Sequence, residues 1–188
     1  MSLLGSGGFL QPEKVVQQFG ISPDMKVADF GCGRGHFTIP IAKILGADEN
    51  SSGKIYAIDI LKDVLDNLKK RAESENLIHI EYILANLEAS NPSLISDEAV
   101  DFVLMANTLF QSQKKENIIR EAKRVLKLGG NLAIIDWDPT NLKIGSNEDG
   151  WRISKSGARE LAEKNGFVFE MDLDAGAFHY GLILKKAN

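Results

Sequence analysis

The stretch that decides the fold is residues 27–35, VADFGCGRG, in which an apolar segment runs into three glycines at alternate positions. The segment Lys26–Phe30 predicts a buried strand, and the pattern over His36–Leu45 predicts a helix that Gly46 ends. Glycines at such a junction permit a tight turn and a close backbone approach to a ligand. Because a simple turn needs only one glycine, we interpret this strand–turn–helix unit as a binding site.

Outward from this unit, strand-like and helix-like segments alternate, which is typical of an α/β fold. The predicted strands are Lys26–Phe30, Lys54–Asp59, His79–Leu84, Val100–Ala106, Asn131–Trp137, Phe167–Leu173 and Phe178–Lys185. The predicted helices are Pro12–Phe19, His36–Leu45, Lys62–Glu73, Lys114–Leu126 and Lys155–Asn165. The short Asp174–Gly176 connection predicts an antiparallel final pair, whereas helical crossovers elsewhere require parallel pairing. We therefore predict a doubly wound seven-stranded sheet, mostly parallel, in the order 3-2-1-4-5-7-6, with only strand seven antiparallel.

The composition of the 188 residues suits one globular domain, which we assign to residues 12–188 after a flexible N-terminal segment, residues 1–11. The net charge is −4 and no basic cluster stands out, so no nucleic-acid partner is predicted. No apolar run approaches the roughly 18 residues that span a bilayer, so no membrane association is predicted. Because Cys32 is the single cysteine, no intramolecular disulfide can form, which favours a cytoplasmic location.

A dinucleotide site is the obvious alternative interpretation of the glycine loop, and its fingerprint is G-x-G-x-x-G. Counted from Gly31 the sixth position is His36, and counted from Gly33 it is Thr38, so the pattern fails in both registers. An acid just before the loop, Asp29, is unfavourable beside a pyrophosphate but favourable beside an ammonium group. The sequence therefore favours a cofactor that carries an ammonium group, with a nucleotide-dependent oxidoreductase kept as an alternative.

The second indication of a nucleoside site is Asp59, the last residue of the predicted strand Lys54–Asp59. A carboxylate at this point of a doubly wound sheet can accept hydrogen bonds from two ribose hydroxyls. Any cofactor that contains adenosine would use this acid, so Asp59 does not distinguish one such cofactor from another. The alternative is an acid that interacts only with the start of the helix Lys62–Glu73.

Together these motifs resemble the class I S-adenosylmethionine-dependent methyltransferases, in the group that includes the ubiquinone/menaquinone-type enzymes, over roughly residues 12–186. In that family the glycine loop lies along the methionine part of the cofactor, and the acid after strand two holds the ribose. The resemblance implies S-adenosyl-L-methionine as cofactor. It implies as cofactor-binding residues Asp29, Gly31, Cys32, Gly33, Gly35, Asp59, Ile60, Asn86, Leu87 and Ala106.

The chain departs from the family pattern at two positions. After strand three the family commonly has a Gly-Asp pair whose acid accepts from the adenine amino group, and this chain has Ala85-Asn86. An Asn carbonyl can still accept that bond. Leu109 is followed by Phe110, where family members often have His.

The acceptor side is predicted from position, because ligands of open α/β sheets bind outside the carboxyl ends of the strands. Asp136 at the end of strand five is the candidate catalytic base, with a solvated strand-end acid as the alternative. Phe110, Asp136 and Arg152 are the predicted substrate-binding residues, under a loop over residues 139–151. Arg152 would suit an anionic or carbonyl-rich acceptor, unless it only forms a surface ion pair.

Aromatic and histidine side chains leave further interpretations open. Phe110, Trp137 and Trp151 could form a wall beside the transferred methyl group, although such residues more often anchor cores or loops. His36 could line the cofactor site. His79 and His179 lie far apart in sequence, and no spacing suits a metal, so no metal site is predicted.

The predicted function is S-adenosylmethionine-dependent methyl transfer to a small-molecule substrate. The alternatives are a non-catalytic S-adenosylmethionine-binding or partner-binding module and the oxidoreductase. The sequence leaves the identity of the acceptor and the oligomeric state open.

Overall fold

The computed structural model describes residues 8–48, 50–89, 93–140 and 152–187. The strands are β1 (Lys26–Phe30), β2 (Lys54–Asp59), β3 (Ile80–Leu84), β4 (Val100–Ala106), β5 (Leu126–Trp137), β6 (Phe167–Leu173) and β7 (His179–Lys186). The α-helices are α1 (Pro12–Val16), α2 (Thr38–Leu45), α3 (Lys62–Ser74), α4 (Lys115–Val125) and α5 (Lys155–Lys164). A 3₁₀ turn covers Leu109–Gln111. None of these helices is long and apolar enough to cross a bilayer.

The sheet confirms the predicted architecture. It has seven strands in the order β3-β2-β1-β4-β5-β7-β6. The pairs among β1 to β5 are parallel, and β7 runs antiparallel to both β5 and β6. The carboxyl ends of β1 and β4 therefore lie side by side at the centre, where the chain order reverses and doubly wound sheets form their crevice.

Two predicted boundaries are corrected. Strand β5 begins at Leu126 and not at Asn131, because Leu126 pairs with Val100 and Asn131 pairs with Phe102. The intervening residues, which include Gly129 at φ +73°, form an irregular part of the strand instead of a separate turn. Helix α1 ends at Val16 and not at Phe19, since residues 17–20 form turns.

The connection from β3 to β4 also differs from the prediction, which assumed a helical crossover. Residues 85–89 and 93–99 contain no helix. Polar contacts to α4 hold the second half: the Ser93 backbone N–H donates to Glu121 at 3.2 Å, and Arg124 donates to Asp97 at 2.6 Å. These bonds, together with the buried side chains of Leu87 and Ile95, anchor the connection to the core.

The two faces of β5 pack into different layers. Leu132 and Ile134 belong to the core cluster with α4 and α5, whereas Ala133 and Ile135 belong to the cluster with α1 and α2. Successive side chains of a strand point to opposite faces. At the end of β5, Asp136 therefore faces the α4 layer and Trp137 faces the α1–α2 layer.

The segment before α1 lies against the turn between β6 and β7. The backbone N–H of Ala177 donates to the carbonyl of Gly8 at 3.1 Å, and the ring centroids of Phe9 and Phe178 are 5.4 Å apart. Residues 8–11 thus contact the sheet edge, although they belong to the segment predicted to be flexible. The division at residue 12 stays a prediction.

Candidate active site

The glycine loop after β1 turns sharply and packs closely. Gly31, Gly33 and Gly35 have φ of +75°, +52° and +76°, in the left-handed region that favours glycine. The backbone N–H groups of Gly31 and Cys32 both donate to the carbonyl of Ile58 at 2.9 Å, which ties the loop to β2. A Cβ on Gly31 would lie 2.9 Å from Oγ1 of Thr108. The loop therefore needs glycine for both its conformation and its packing.

Asp59 is fixed at the end of β2 by two backbone donors. Its Oδ2 accepts from the Gly33 N–H and its Oδ1 accepts from the Leu61 N–H, both at 3.0 Å. An ionised carboxylate offers about four lone-pair sites. Each oxygen of the half-buried side chain thus keeps accepting capacity for a ligand hydroxyl.

A first cleft of about 500 Å³ opens at the carboxyl ends of β1, β2, β3 and β4. Six of the predicted cofactor-binding residues line it: Gly31, Gly33, Asp59, Ile60, Asn86 and Leu87. The volume lies within the roughly 300–1,000 Å³ typical of small-molecule sites. Ile60 is 58% exposed, so apolar surface beside Asp59 is available to cover a planar base.

Asn86 lines this cleft with part of its bonding capacity in use. Its side-chain oxygen accepts from the Glu88 N–H at 2.9 Å. A carbonyl oxygen has two lone pairs, so one remains for a donor such as an adenine amino group.

A second cleft of about 430 Å³ adjoins the first. Both are lined by Gly31, Gly33, Arg34, Asn107 and Gln111, so they form one continuous crevice around the glycine loop. Of the predicted cofactor-binding residues, the second cleft adds Asp29, Cys32 and Ala106. Gly35 lines neither; a Cβ there would overlap the Leu68 side chain of α3.

The rest of the second cleft is largely aromatic and apolar. Its lining includes Phe9, Leu10, Phe37, Trp137 and His179. These residues come from the segment before α1, the start of α2 and the β5–β7 pair. Sequence reasoning missed Phe9, Leu10 and Phe37, because no local motif marks an apolar residue that the fold brings to a cleft.

Asp29 is the buried acid of the second cleft. Its side chain is 1% exposed, and its Oδ2 accepts from the Thr38 hydroxyl at 2.6 Å. Burial is the main cause that raises the pKa of Asp29 to about 7; the Thr38 hydrogen bond works in the opposite direction, and the charge of Asp59 makes a smaller contribution to the rise. A cation beside Asp29 would favour its ionised form.

Asn107, directly after β4, is strained and incompletely bonded. Its φ is +55°, and its buried Oδ1 has no hydrogen-bond partner in the described part of the chain. Such strain and unmet bonding cluster at ligand sites. Its position after a buried apolar strand was the available sequence signal, but the residue was not among those predicted to bind.

Phe110 and Asp136 lie next to each other, and their place in an acceptor crevice stays a prediction. Neither residue is among the described residues that line the two clefts. Asp136 is 1% exposed; its Oδ2 accepts from the Phe110 N–H at 3.0 Å and its Oδ1 from the Trp137 N–H at 2.8 Å. The 3₁₀ turn thus covers the carboxylate, whose pKa burial raises to about 6.

Arg152 and Trp137 lie beside each other at the rim. The Arg152 guanidinium carbon is 5.8 Å from the centre of the Trp137 ring, a cation–π distance. Because Trp137 lines the second cleft, this contact places Arg152 next to the cleft. Trp151 and residues 141–150 lie outside the described residues, so the predicted loop and aromatic wall stay predictions.

His179 faces Trp137 across the β5–β7 pair. The two residues are register partners, and their ring centroids are 4.1 Å apart. Both ring nitrogens are buried without a hydrogen-bond partner among the residues described. Burial lowers the pKa of His179 to about 4, so the imidazole is neutral at pH 7.

The chain is similar to known methyltransferases. A family model described as a methyltransferase domain matches residues 21–166. Demethylmenaquinone methyltransferase of Lactobacillus johnsonii is 27% identical over 84% of this chain and 77% of that protein. The ubiquinone/menaquinone biosynthesis C-methyltransferase of Shewanella sediminis is 28% identical over 65% of this chain but only 46% of that protein. Relatives of the second kind thus extend well beyond the matched region.

Solved structures agree with the sequence comparison. A crystal structure of a SAM dependent methyltransferase from Aquifex aeolicus superposes with a TM-score of 0.82. Its sequence is 26% identical, and the match covers 95% of this chain and 91% of that one. The similarity confirms the resemblance that the glycine loop and Asp59 indicate.

Proposed function

We propose that this chain methylates a small hydroxylated aromatic molecule in the second cleft. The chain belongs to the methyltransferase domain family and is a class I S-adenosylmethionine-dependent methyltransferase. The observation that carries the proposal is the aromatic and apolar lining of this cleft where it adjoins the glycine loop. Two relatives are named demethylmenaquinone methyltransferase and ubiquinone/menaquinone biosynthesis C-methyltransferase, and these names support an acceptor related to quinones.

The cofactor fits the bonding capacity of the first cleft. Asp59 retains lone pairs for the two ribose hydroxyls after its bonds to Gly33 and Leu61. Asn86 retains one for an adenine amino group, and Ile60 offers apolar surface for the ring. When bound, S-adenosylmethionine supplies a methyl group that its positively charged sulfur already activates.

The ammonium end of the cofactor fits the part of the second cleft beside the glycine loop, which Asp29 and Asn107 line. Asp29 would become fully ionised beside a cation, which offsets the cost of its burial. The unpartnered Oδ1 of Asn107 would accept a hydrogen bond there. Both groups thus gain from a cationic ligand, whereas a pyrophosphate would be repelled by Asp29.

The acceptor then occupies the aromatic part of the second cleft, among Phe9, Phe37 and Trp137. Aromatic side chains pack against a planar ring and exclude water from it. Holding the acceptor at near-attack distance is the main task of the protein, because the drive for methyl transfer resides in the cofactor. Arg152 beside Trp137 suits an oxygen-rich ring.

The direct test is methyl transfer itself. The protein is incubated with S-adenosylmethionine and freshly reduced 1,4-naphthohydroquinone, and S-adenosylhomocysteine and methylated product are measured by mass spectrometry. We expect both products in equal amounts, and much less of both with an Asp59→Ala variant at a cofactor concentration that does not saturate it. Tight cofactor binding without turnover on any hydroxylated aromatic would instead support the non-catalytic module.

A pair of aromatic variants tests where the acceptor binds. Trp137 lines the second cleft, whereas Phe110 lines neither cleft among the described residues. We expect Trp137→Ala to raise the KM for the acceptor at least about tenfold, while Phe110→Ala leaves it nearly unchanged. The reverse outcome would restore the acceptor position that the sequence predicted. A small-molecule substrate and a cytoplasmic location remain predictions of the sequence.

A further inference from the structure

His179 is a polar side chain on an otherwise aromatic part of the second cleft. It begins β7 directly opposite Trp137, and the preceding Phe178 packs against Phe9. The ring centroids of His179 and Trp137 are 4.1 Å apart. The imidazole is therefore held in place by ring packing, with no protein hydrogen bond among the described residues.

Two unpartnered ring nitrogens at one buried site need an explanation. Leaving a buried donor or acceptor unsatisfied lowers stability, and native structures contain few such groups. His79 shows the ordinary arrangement, since its Nδ1 lies 2.9 Å from the carbonyl of Gly53. In contrast to His79, His179 lines a cleft, where a ligand can meet its bonding capacity.

We infer that His179 is the residue that recognises a hydroxyl group on the aromatic acceptor, by a hydrogen bond, while Trp137 packs against the acceptor ring. This inference rests on the proposed function and deepens it. A neutral imidazole carries one N–H donor and one acceptor nitrogen. A hydroxyl group both donates and accepts, so it can bond in either tautomer of the ring.

The charge state of the His179 ring suits a hydroxyl group as its ligand. Burial lowers the pKa of His179 to about 4, so the ring does not offer a cation to a carboxylate at pH 7. A methyl ether can only accept a hydrogen bond, and an unsubstituted ring can do neither. His179 would therefore select the hydroxylated compound over its ether by the bond in which the ligand donates.

The test compares two probes that differ in one hydrogen-bond donor. Binding of 2-naphthol and of 2-methoxynaphthalene is measured with saturating S-adenosylhomocysteine present. We expect wild-type protein to prefer 2-naphthol by about tenfold, as one hydrogen bond predicts. His179→Phe should remove the preference and keep the affinity for S-adenosylhomocysteine. His79→Gln, which changes a histidine outside both clefts, should keep both.

A second variant guards against simple misfolding. In His179→Ala the missing ring leaves space beside Trp137, and added imidazole should restore part of the preference for 2-naphthol. A purely structural role would give no such rescue in probe selectivity. A preference that persists in both variants, or no rescue, overturns the inference.

The two proposals fail in different ways. If wild-type protein binds both probes equally, the role of His179 is wrong, while an aromatic acceptor site stands. If wild-type protein with S-adenosylhomocysteine binds neither probe, the aromatic acceptor site itself is wrong, and the inference falls with it.

Discussion

The backbone N–H of Gly33 donates to Oδ2 of Asp59 at 3.0 Å, which joins the glycine loop after β1 to the acid that ends β2. The second oxygen of Asp59 holds the Leu61 N–H just before α3. Asp59 thereby orders two loops at the carboxyl edge while it faces the first cleft. The position of the Asp59 carboxylate and the conformation of the glycine loop are therefore coupled.

Replacing Asp59 should weaken cofactor binding. We expect Asp59→Ala to lower the affinity for S-adenosylhomocysteine by about 1–3 kcal/mol, since buried hydroxyls would lose a charged acceptor. Isothermal titration calorimetry measures the loss. Asp63→Ala, at an exposed acid in the first turn of α3, is the control and should bind normally. Equal affinities in both variants would remove Asp59 from the site.

Two glycines of the loop should respond differently to alanine. At Gly31 a Cβ meets the Thr108 hydroxyl, which itself donates to the Phe30 carbonyl at 2.7 Å. At Gly33 a Cβ meets nothing within 4 Å, although φ is +52°. We expect Gly31→Ala to destabilise the fold by roughly 2–4 kcal/mol and Gly33→Ala by only about 1 kcal/mol.

Cofactor affinity should show the opposite order: among the folded variants, Gly33→Ala should bind S-adenosylhomocysteine more weakly than Gly31→Ala. The Cβ added at Gly33 enters open space where this residue lines both clefts, so it should obstruct a ligand. Urea unfolding and calorimetric binding of S-adenosylhomocysteine measure the two effects separately. A Gly33→Ala variant that binds as tightly as wild type would mean that the cofactor does not approach this backbone.

Asp29 should make the free energy of unfolding depend on pH. Its pKa rises from 3.8 in the unfolded chain to about 7 in the fold, so the folded protein holds an extra proton between these values. The stabilising contribution is full below pH 3.8 and is lost as the pH rises through 7. From pH 5 to pH 8, wild type should therefore lose on the order of 3 kcal/mol of unfolding free energy that Asp29→Asn does not lose.

Urea unfolding without cofactor at these two pH values checks this expectation. Asp136, whose pKa is raised to about 6, adds a smaller loss in the same direction that both proteins share. The exposed Glu13→Gln variant serves as the control and should follow wild type. Identical differences between pH 5 and pH 8 in wild type and Asp29→Asn would show that Asp29 does not titrate abnormally.

Asp136 should stabilise the fold and should not act as the catalytic base. Its carboxylate satisfies the N–H groups of Phe110 and Trp137 in a buried position. Asp136→Ala should cost about 2–4 kcal/mol in the free energy of unfolding, because two donors lose their acceptor. Asp138→Ala, which loses a bond to the Thr140 N–H at a half-exposed position, should cost far less. Normal stability with abolished methyl transfer would instead make Asp136 the catalytic base.

Local patterns in the sequence were enough to predict most of the fold. Apolar blocks of strand length, glycines at strand ends and amphipathic helices indicate each element from its own residues. The short connection at Asp174–Gly176 determined that β7 turns back on β6. The failures are at places where distant contacts override the local signal. Gly129 and Gly130 suggest a turn, but pairing with β4 draws them into β5.

The sequence by itself determined the family and the residues around the glycine loop, because these lie within a few positions of one another or at the ends of adjacent parallel strands. Only the tertiary structure decided the lining of the second cleft. Phe9, Trp137 and His179 come from three distant segments, and antiparallel pairing of β5 with β7 sets Trp137 against His179. The same alternation of side chains turns Asp136 to the opposite face, under the 3₁₀ turn. A one-residue step along a strand exchanges the faces of a sheet, and which face meets the cleft depends on what packs against each one.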